Sequence, residues 1–217
     1  MSWKWARFPV AKEGMVFILP LAAVTAVLWG LRLPAVVAGF FSLLTFFVVY
    51  FFRDPERSIP AETKAILSPA DGKVIQIAPC MEGRFLQRPS IKISVFMSLF
   101  NVHINRVPVS GRIVGMAYTP GKFFSANLDK ASSANEQNAL LIETPEGARL
   151  LVVQIAGLIA RRIVCRARKG DVLERGWKFG LIRFGSRLDV YLPENSRVLA
   201  QPGQKTLGGQ TILGFLP

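Results

Sequence analysis

The sequence predicts a mainly β protein, a pseudo-twofold β sandwich or barrel-like domain preceded by an N-terminal helical membrane hairpin. Three observations predict it. Residues 14–52 are apolar apart from Arg32, the apolar segments beyond Arg53 are short and bounded by Gly, Pro, Asp and Asn, and two glycine-bearing patterns recur at fixed offsets.

The apolar run is too long for one membrane span and suits two, at about 15–31 and 34–52. Both lie near the ~17–25 residues a spanning helix needs. Gly30 and Pro34 bracket the break, since Gly tolerates a turn and Pro is favoured in the first turn of a new helix. Lys4, Arg7 and Lys12 precede the hairpin, and Arg53 and Arg57 follow it. The positive-inside rule then puts both ends, and the remaining chain, at the cytoplasmic face of a cell membrane. A re-entrant or interfacial hairpin is the alternative, because the first span is short. The expected division is a hairpin over 1–53 and a β-rich domain over 54–217.

Strands are expected over 73–77, 91–96, 112–116, 139–142, 150–155, 163–166 and 189–192, with one short helix near 132–138. Pro69-Ala70-Asp71-Gly72-Lys73-Val74-Ile75 is matched 39 residues later by Pro108-Val109-Ser110-Gly111-Arg112-Ile113-Val114, and Gly170 and Gly176 recur 33 residues later as Gly203 and Gly209. Each echo puts a glycine at a tight reversal. Two interlocking strand-turn-strand units are the expected result.

Composition narrows the function classes. Of 217 residues 51% are hydrophobic, too many for a disordered basic chain. There are 27 Lys and Arg against 14 Asp and Glu, a net charge of +13, and residues 1–52 hold only four basic and one acidic residue. The remaining +10 suits nucleic acid or an anionic membrane surface. The hairpin favours lipid, so no nucleic-acid partner is expected. Cys80 and Cys165 are too few for a disulfide framework and fit a reducing compartment or a protein core. A single histidine, His103, with two distant cysteines leaves no expected metal site.

Three positions could carry chemistry. His103 lies among Asn101, Asn105 and Arg106, Asp71 sits in a Pro-Ala-Asp-Gly reversal that needs no function of its own, and Ser186 follows Gly185 between strand-like flanks. Together they are the ingredients of an activated hydroxyl, with Ser186 as nucleophile, His103 as base and Asp71 as orienter. Arg106, Lys130, Phe123 and Phe124 are candidate substrate-binding side chains, from charge and apolar character.

Ser68-Pro-Ala-Asp-Gly-Lys-Val74, Asn101-Val-His-Ile-Asn-Arg106, Asn127-Leu-Asp-Lys-Ala-Ser-Ser-Ala-Asn-Glu136, Gln154-Ile-Ala-Gly-Leu-Ile-Ala-Arg-Arg162 and Arg183-Phe-Gly-Ser186 closely resemble the short, archaeal-type phosphatidylserine decarboxylases, in order and over nearly the whole chain. The resemblance implies a proenzyme that cuts itself between Gly185 and Ser186 by serinolysis, giving a β chain 1–185 and an α chain 186–217. Ser186 would become a covalent pyruvoyl cofactor that forms a Schiff base with phosphatidylserine and yields phosphatidylethanolamine and carbon dioxide. Longer members resemble H-x-x-H where this chain has His103 and Arg106, so either His103 serves both self-cleavage and decarboxylation, the favoured expectation, or self-cleavage relies on Asp71 and backbone strain with another base. The open alternatives are a non-catalytic membrane-tethered module that binds anionic lipid, a serine hydrolase, and a decarboxylase specific for the archaeal ether lipid. An uncovered edge strand is compatible with a homodimer.

Overall fold

The computed structural model describes residues 9–122, 124, 135–158, 162–183 and 185–217, and the chain divides into two units, Trp5–Glu56 and a larger one that includes Arg57–Pro217. In the smaller unit a 3-10 turn, Lys12–Gly14, leads into helix α1 (Met15–Gly30), and helix α2 (Ala35–Phe51) returns. Val16, Leu19, Val27, Val36, Phe40, Leu43 and Phe46 all face outward. Helices apolar on their outer faces are stable in lipid rather than water. With its leading turn, α1 is long and apolar enough to cross a membrane (Lys12–Gly30), whereas Ala35–Phe51 is shorter.

The few polar side chains of the hairpin find each other. Thr25 Oγ1 lies 3.0 Å from Thr45 Oγ1, and Trp29 Nε1 donates to Ser42 Oγ at 3.1 Å. Ser42 donates to the Ala38 carbonyl one turn earlier, and of Thr25 and Thr45 one gives its single proton to the other while the second donates to the carbonyl one turn before it. In an apolar medium, each such bond spares an unpaired hydroxyl.

Among the described residues the larger unit has fourteen strands: β1 (Ala65–Leu67), β2 (Gly72–Glu82), β3 (Arg88–Met97), β4 (Ile104–Arg106), β5 (Gly111–Thr119), β6 (Gln137–Glu143), β7 (Arg149–Ala156), β8 (Ile163–Cys165), β9 (Val172–Leu173), β10 (Lys178–Ile182), β11 (Ser186–Pro193), β12 (Arg197–Val198), β13 (Lys205–Thr206) and β14 (Ile212–Phe215). Eight form one sheet in the order β13-β2-β3-β11-β7-β6-β5-β9, and two small sheets have the orders β1-β14-β12 and β4-β10-β8. The pairings between these strands are antiparallel, and one isolated bridge, Lys122 to Asn135, is parallel. One face of the large sheet supplies the main core through Val74, Ile93, Val95, Leu140, Val152, Leu188 and Val190. The other holds a smaller cluster around Leu141, Leu151, Val153 and Ile155.

The internal echoes are structural. β2 and β5 open on Gly72 and Gly111, each carries a register shift two residues on, and each pairs at its start with a two-residue strand, β13 or β9. Gly203 donates to the Val74 carbonyl as Gly170 does to that of Ile113. The halves also exchange bonds reciprocally, Leu67 N–H to Pro108 O at 3.0 Å and Arg106 N–H to Pro69 O at 2.8 Å. Those four residues are related in pairs by the same offset of 39, so the turns interlock about a local twofold.

All seven expected strands are present. The short helix is not: Gln137 and Asn138 begin strand β6, where pairing with β5 and β7 and burial of Asn138–Ile142 outweigh local helical preference, and residues 132–134 lie outside the described set. The sequence reading missed β1, β4, β9, β10, β12, β13 and β14, all of two to five residues. Runs so short leave no period to detect.

A Cβ added at Gly72 would collide with the Phe96 carbonyl, whereas one at Gly83 would meet open space. Gly72→Ala should therefore destabilise the domain by about 1–3 kcal/mol, the usual cost of overpacking, and Gly83→Ala should not. Thermal melting of the detergent-solubilised protein distinguishes them; equal melting temperatures would contradict the close approach.

Candidate active site

Ser186 opens β11, which lies between β3 and β7, so that it stands opposite Met97 on one side and Ala156 on the other. Strand alternation sends Ser186, Leu188 and Val190 to the main core and Arg187 and Asp189 to the opposite face. There the Arg187 guanidinium grips the Asp189 carboxylate, Nε to Oδ1 at 2.9 Å and Nη2 to Oδ2 at 3.0 Å, both side chains fully buried. Breaking such a pair from one side costs about 3–5 kcal/mol, so the pair holds the start of the strand in place. Ser186 itself is fully buried, and its Oγ has no hydrogen-bond partner among the described residues. An unpaired buried hydroxyl costs about 1–3 kcal/mol; the Ser94 and Ser196 hydroxyls share that state among the described residues, so what distinguishes Ser186 is its place next to the held Gly185 carbonyl.

Gly185 has φ +74°, in the left-handed region that glycine adopts without penalty. Its peptide groups are held on both sides. Gly185 N–H donates to His103 Nε2 at 3.3 Å, and Gly185 O accepts from the N–H of Gly157 at 3.1 Å.

His103 is built in from three directions. Ser98 N–H and Oγ–H both donate to Asn101 Oδ1, at 2.9 and 2.8 Å, closing a tight turn after β3. That turn aims the Asn101 carbonyl at His103 Nδ1, 2.9 Å away, while Ile182 N–H donates to the His103 carbonyl at 3.4 Å. A carbonyl only accepts and an amide N–H only donates. The neutral imidazole therefore carries its proton on Nδ1 and turns the Nε2 lone pair toward residue 185. His103 is 3% exposed.

A buried polar chain backs the site. Asn138 Nδ2 donates to Gln154 Oε1 at 2.9 Å, and Gln154 Nε2 donates to Asn105 Oδ1 at 2.7 Å. Asn105 Nδ2 in turn reaches the His103 carbonyl at 3.4 Å. The chain couples β6, β7 and β4, and each link satisfies a group that burial would otherwise leave unpaired. On the rim Asn135 ties the next loop to β7, through Nδ2 to the Ala156 and Phe124 carbonyls, both at 2.7 Å.

Two expected roles need correction. Asp71 is not hydrogen-bonded to His103: its carboxylate takes Arg57 Nη2 at 2.7 Å and the Gly208 N–H at 2.7 Å, and the Asn101 carbonyl orients the imidazole instead. Arg106 is buried, with Nη1 on the Gly176 carbonyl at 3.0 Å and its stem against Gly209, an enclosed position that fits bracing of the paired glycine turns rather than substrate binding. Phe123 and Lys130 lie outside the described residues, and Phe124 is 42% exposed. Burial raises the thiol of Cys165, and of the less buried Cys80, above its ordinary range, so neither is poised as a nucleophile. Among the described residues no group of three or more His, Cys, Asp or Glu could hold a metal ion. The sequence reading missed Gly157, the Ser98–Asn101 turn and the Asn105–Gln154–Asn138 chain, although the motifs contain Asn101, Asn105, Gln154 and Gly157; Ser98 and Asn138 lie just outside them.

A family profile described as "Phosphatidylserine decarboxylase" matches residues 44–214. The "Phosphatidylserine decarboxylase proenzyme" of Geotalea uraniireducens is 53% identical over 209 residues, covering 96% of this chain and 97% of the relative. Proteins of the same name from Geobacter metallireducens and Pelobacter propionicus are 53% and 50% identical over 214 residues, with the same coverage. With a profile match over most of the chain and half of all positions shared with these relatives from end to end, the chain belongs to the phosphatidylserine decarboxylase family.

Proposed function

We propose that the protein is a proenzyme that cleaves its own Gly185–Ser186 bond, and that the product converts phosphatidylserine to phosphatidylethanolamine and carbon dioxide at the cytoplasmic face of a membrane. The observation that carries this reading is the junction itself: a left-handed glycine whose N–H and carbonyl are both held, followed by a buried serine hydroxyl with no hydrogen-bond partner among the described residues. A stable fold gains nothing from that hydroxyl; an intramolecular nucleophile one residue from a fixed carbonyl gives it a purpose. The name "proenzyme" carried by the relatives agrees with it.

Cleavage would give a β chain 1–185 and an α chain 186–217, with a pyruvoyl group derived from Ser186 at the α-chain N-terminus. The position suits that group, because the replaced atoms are already buried at a strand end beside the imidazole. Its carbonyl supplies an electron sink for the pair left when carbon dioxide departs, which no ordinary side chain offers. His103 Nε2, the base at the junction, takes the Ser186 hydroxyl proton during self-cleavage and later returns a proton to the substrate carbon. Asn101 holds the tautomer that both steps require. Asp71 acts at one remove: it fixes the 68–71 turn, whose Pro69 carbonyl accepts from Arg106 on the strand that follows His103.

The sheet end that carries Ser186 also exposes apolar side chains, Phe100 at 68% and Leu158 at 63%, with exposed Lys122 and Arg162 nearby. Apolar tips with basic neighbours suit the surface of an anionic bilayer. A lipid headgroup would reach the serine from that side.

Ser186→Ala should abolish both chain cleavage and carbon dioxide release from phosphatidylserine vesicles; retention of either would contradict the proposal. His103→Ala should also lose both, and a variant that cleaves normally yet fails to decarboxylate would confine the imidazole to the second reaction. Phe100→Ser combined with Leu158→Ser should self-cleave normally and keep its turnover of a short-chain, water-soluble substrate. Its rate on vesicles should fall several-fold, and an unchanged vesicle rate would remove these side chains from lipid docking.

A further inference from the structure

The Gly157 N–H lies 3.1 Å from the Gly185 carbonyl oxygen, the atom that would take up negative charge if Ser186 Oγ attacked the carbon beside it. We propose that this backbone N–H is the oxyanion donor of the self-cleavage reaction. The inference rests on the reading of Gly185–Ser186 as the scissile bond. Gly157 is the first residue after β7, and Ala156 faces Ser186 in the ladder, so the donor is delivered by strand register rather than by a flexible side chain. Ala156 is fixed in turn by its own N–H to the Glu136 carbonyl at 2.9 Å and by Asn135 on its carbonyl. The donor is therefore preorganised before any charge appears, the condition under which such a group is most effective.

In the step, Ser186 Oγ bonds to the Gly185 carbonyl carbon and gives its proton to His103 Nε2. The carbonyl oxygen becomes an oxyanion on the Gly157 N–H. As the oxyanion collapses, the carbon–nitrogen bond breaks and the Ser186 nitrogen takes the proton, leaving an ester between Gly185 and Ser186 Oγ with a free amine. His103 Nε2, having passed its first proton to the Ser186 nitrogen, takes the Ser186 Cα proton as the Cβ–Oγ bond breaks, and Gly185 leaves as a carboxylate. The dehydroalanine left behind is an enamine; a proton moves from its nitrogen to Cβ, giving a methyl group and an imine, to whose carbon water adds as ammonia departs. The Gly157 bond is neutral to neutral in the resting chain and charge-assisted in the first transition state, so it strengthens where it accelerates the reaction. The same N–H faces the carboxylate as it leaves in the second stage. Once the chains separate it no longer touches a reacting atom of the cleavage site.

The test uses the full chain, made by cell-free translation into detergent with glycolic acid in place of Gly157. That exchange turns the donating N–H into an ester oxygen with almost no change of shape. The control puts glycolic acid at Gly147, whose N–H donates to the Thr144 carbonyl at 2.9 Å in a hairpin turn. Denaturing electrophoresis against time reads cleavage, and carbon dioxide release per cleaved chain reads the mature enzyme. The expected result is cleavage slowed about 10²–10³-fold by the ester at 157 alone, the usual effect of losing one oxyanion donor, with turnover per cleaved chain unchanged. Equal rates for the wild type and the ester at 157 would overturn the assignment while leaving the scissile bond in place. So would equal slowing by both esters, which would indicate general weakening of the backbone. A wild-type chain that never cleaves at Gly185–Ser186 would overturn the underlying reading, and the assignment with it.

Discussion

The hold on the Gly185 peptide is the constraint from which the rest of the site follows. A residue at φ +74° directs its N–H to His103 and its carbonyl to Gly157. Any side chain there would meet the backbone penalty of the left-handed region, so glycine before the serine is a conformational requirement. Most of the surrounding structure serves to keep the two partners of that peptide still. The Ser98–Asn101 turn fixes the imidazole, the polar chain through Gln154 fixes the strand behind it, and the register of β7 against β11 fixes the Gly157 donor. Rigidity matters here because attack by a neighbouring hydroxyl on its own peptide succeeds only from a narrow range of geometry.

The local twofold explains how such a site arises within a repetitive β fold. The interlocked turns give two equivalent corners, one around Leu67 and Pro69, the other around Arg106 and Pro108. The two corners differ in what they carry. Ile66, fully buried in the main core, occupies the position equivalent to Asn105, and Lys64 the position equivalent to His103. One copy therefore packs as plain core, and the other exchanges apolar burial for a hydrogen-bonded polar chain that supports an imidazole. Buried polar groups are costly unless fully satisfied. The partners supplied by Gln154 and Asn138 make the second corner stable.

Much of this was legible in the sequence, for identifiable reasons. Apolar segments bounded by Gly, Pro, Asp and Asn revealed the six strands of seven or more residues and the three-residue β8, and the glycine echoes revealed the twofold because a close strand approach at Gly72 and Gly111 and positive φ at Gly170 and Gly203 demand glycine. Ser186, Gly185 and His103 stand out in the sequence because their residue types are chemically distinctive, and the structure puts the Gly185 N–H on His103 Nε2. The other short strands escaped detection because two to five residues hold no period. The roles of Gly157 and the Asn101 carbonyl escaped because backbone atoms leave no residue signature. Asp71 is expected as the orienter of His103 and Arg106 as a substrate-binding side chain; in the structure the Asp71 carboxylate takes Arg57 and the Gly208 N–H, and Arg106 donates to the Gly176 carbonyl. Charge is visible in a sequence, whereas the partner that neutralises it depends on long-range pairing.

The central claim is that 217 residues describe a precursor whose buried serine is consumed in making the working enzyme. Intact-mass spectrometry of the purified, denatured protein tests it most directly. The account predicts two chains, one ending in the Gly185 carboxylate and one of residues 186–217, the second lighter than its unmodified sequence by the mass of one ammonia. A single full-length chain with an unmodified Ser186 in active enzyme would contradict it.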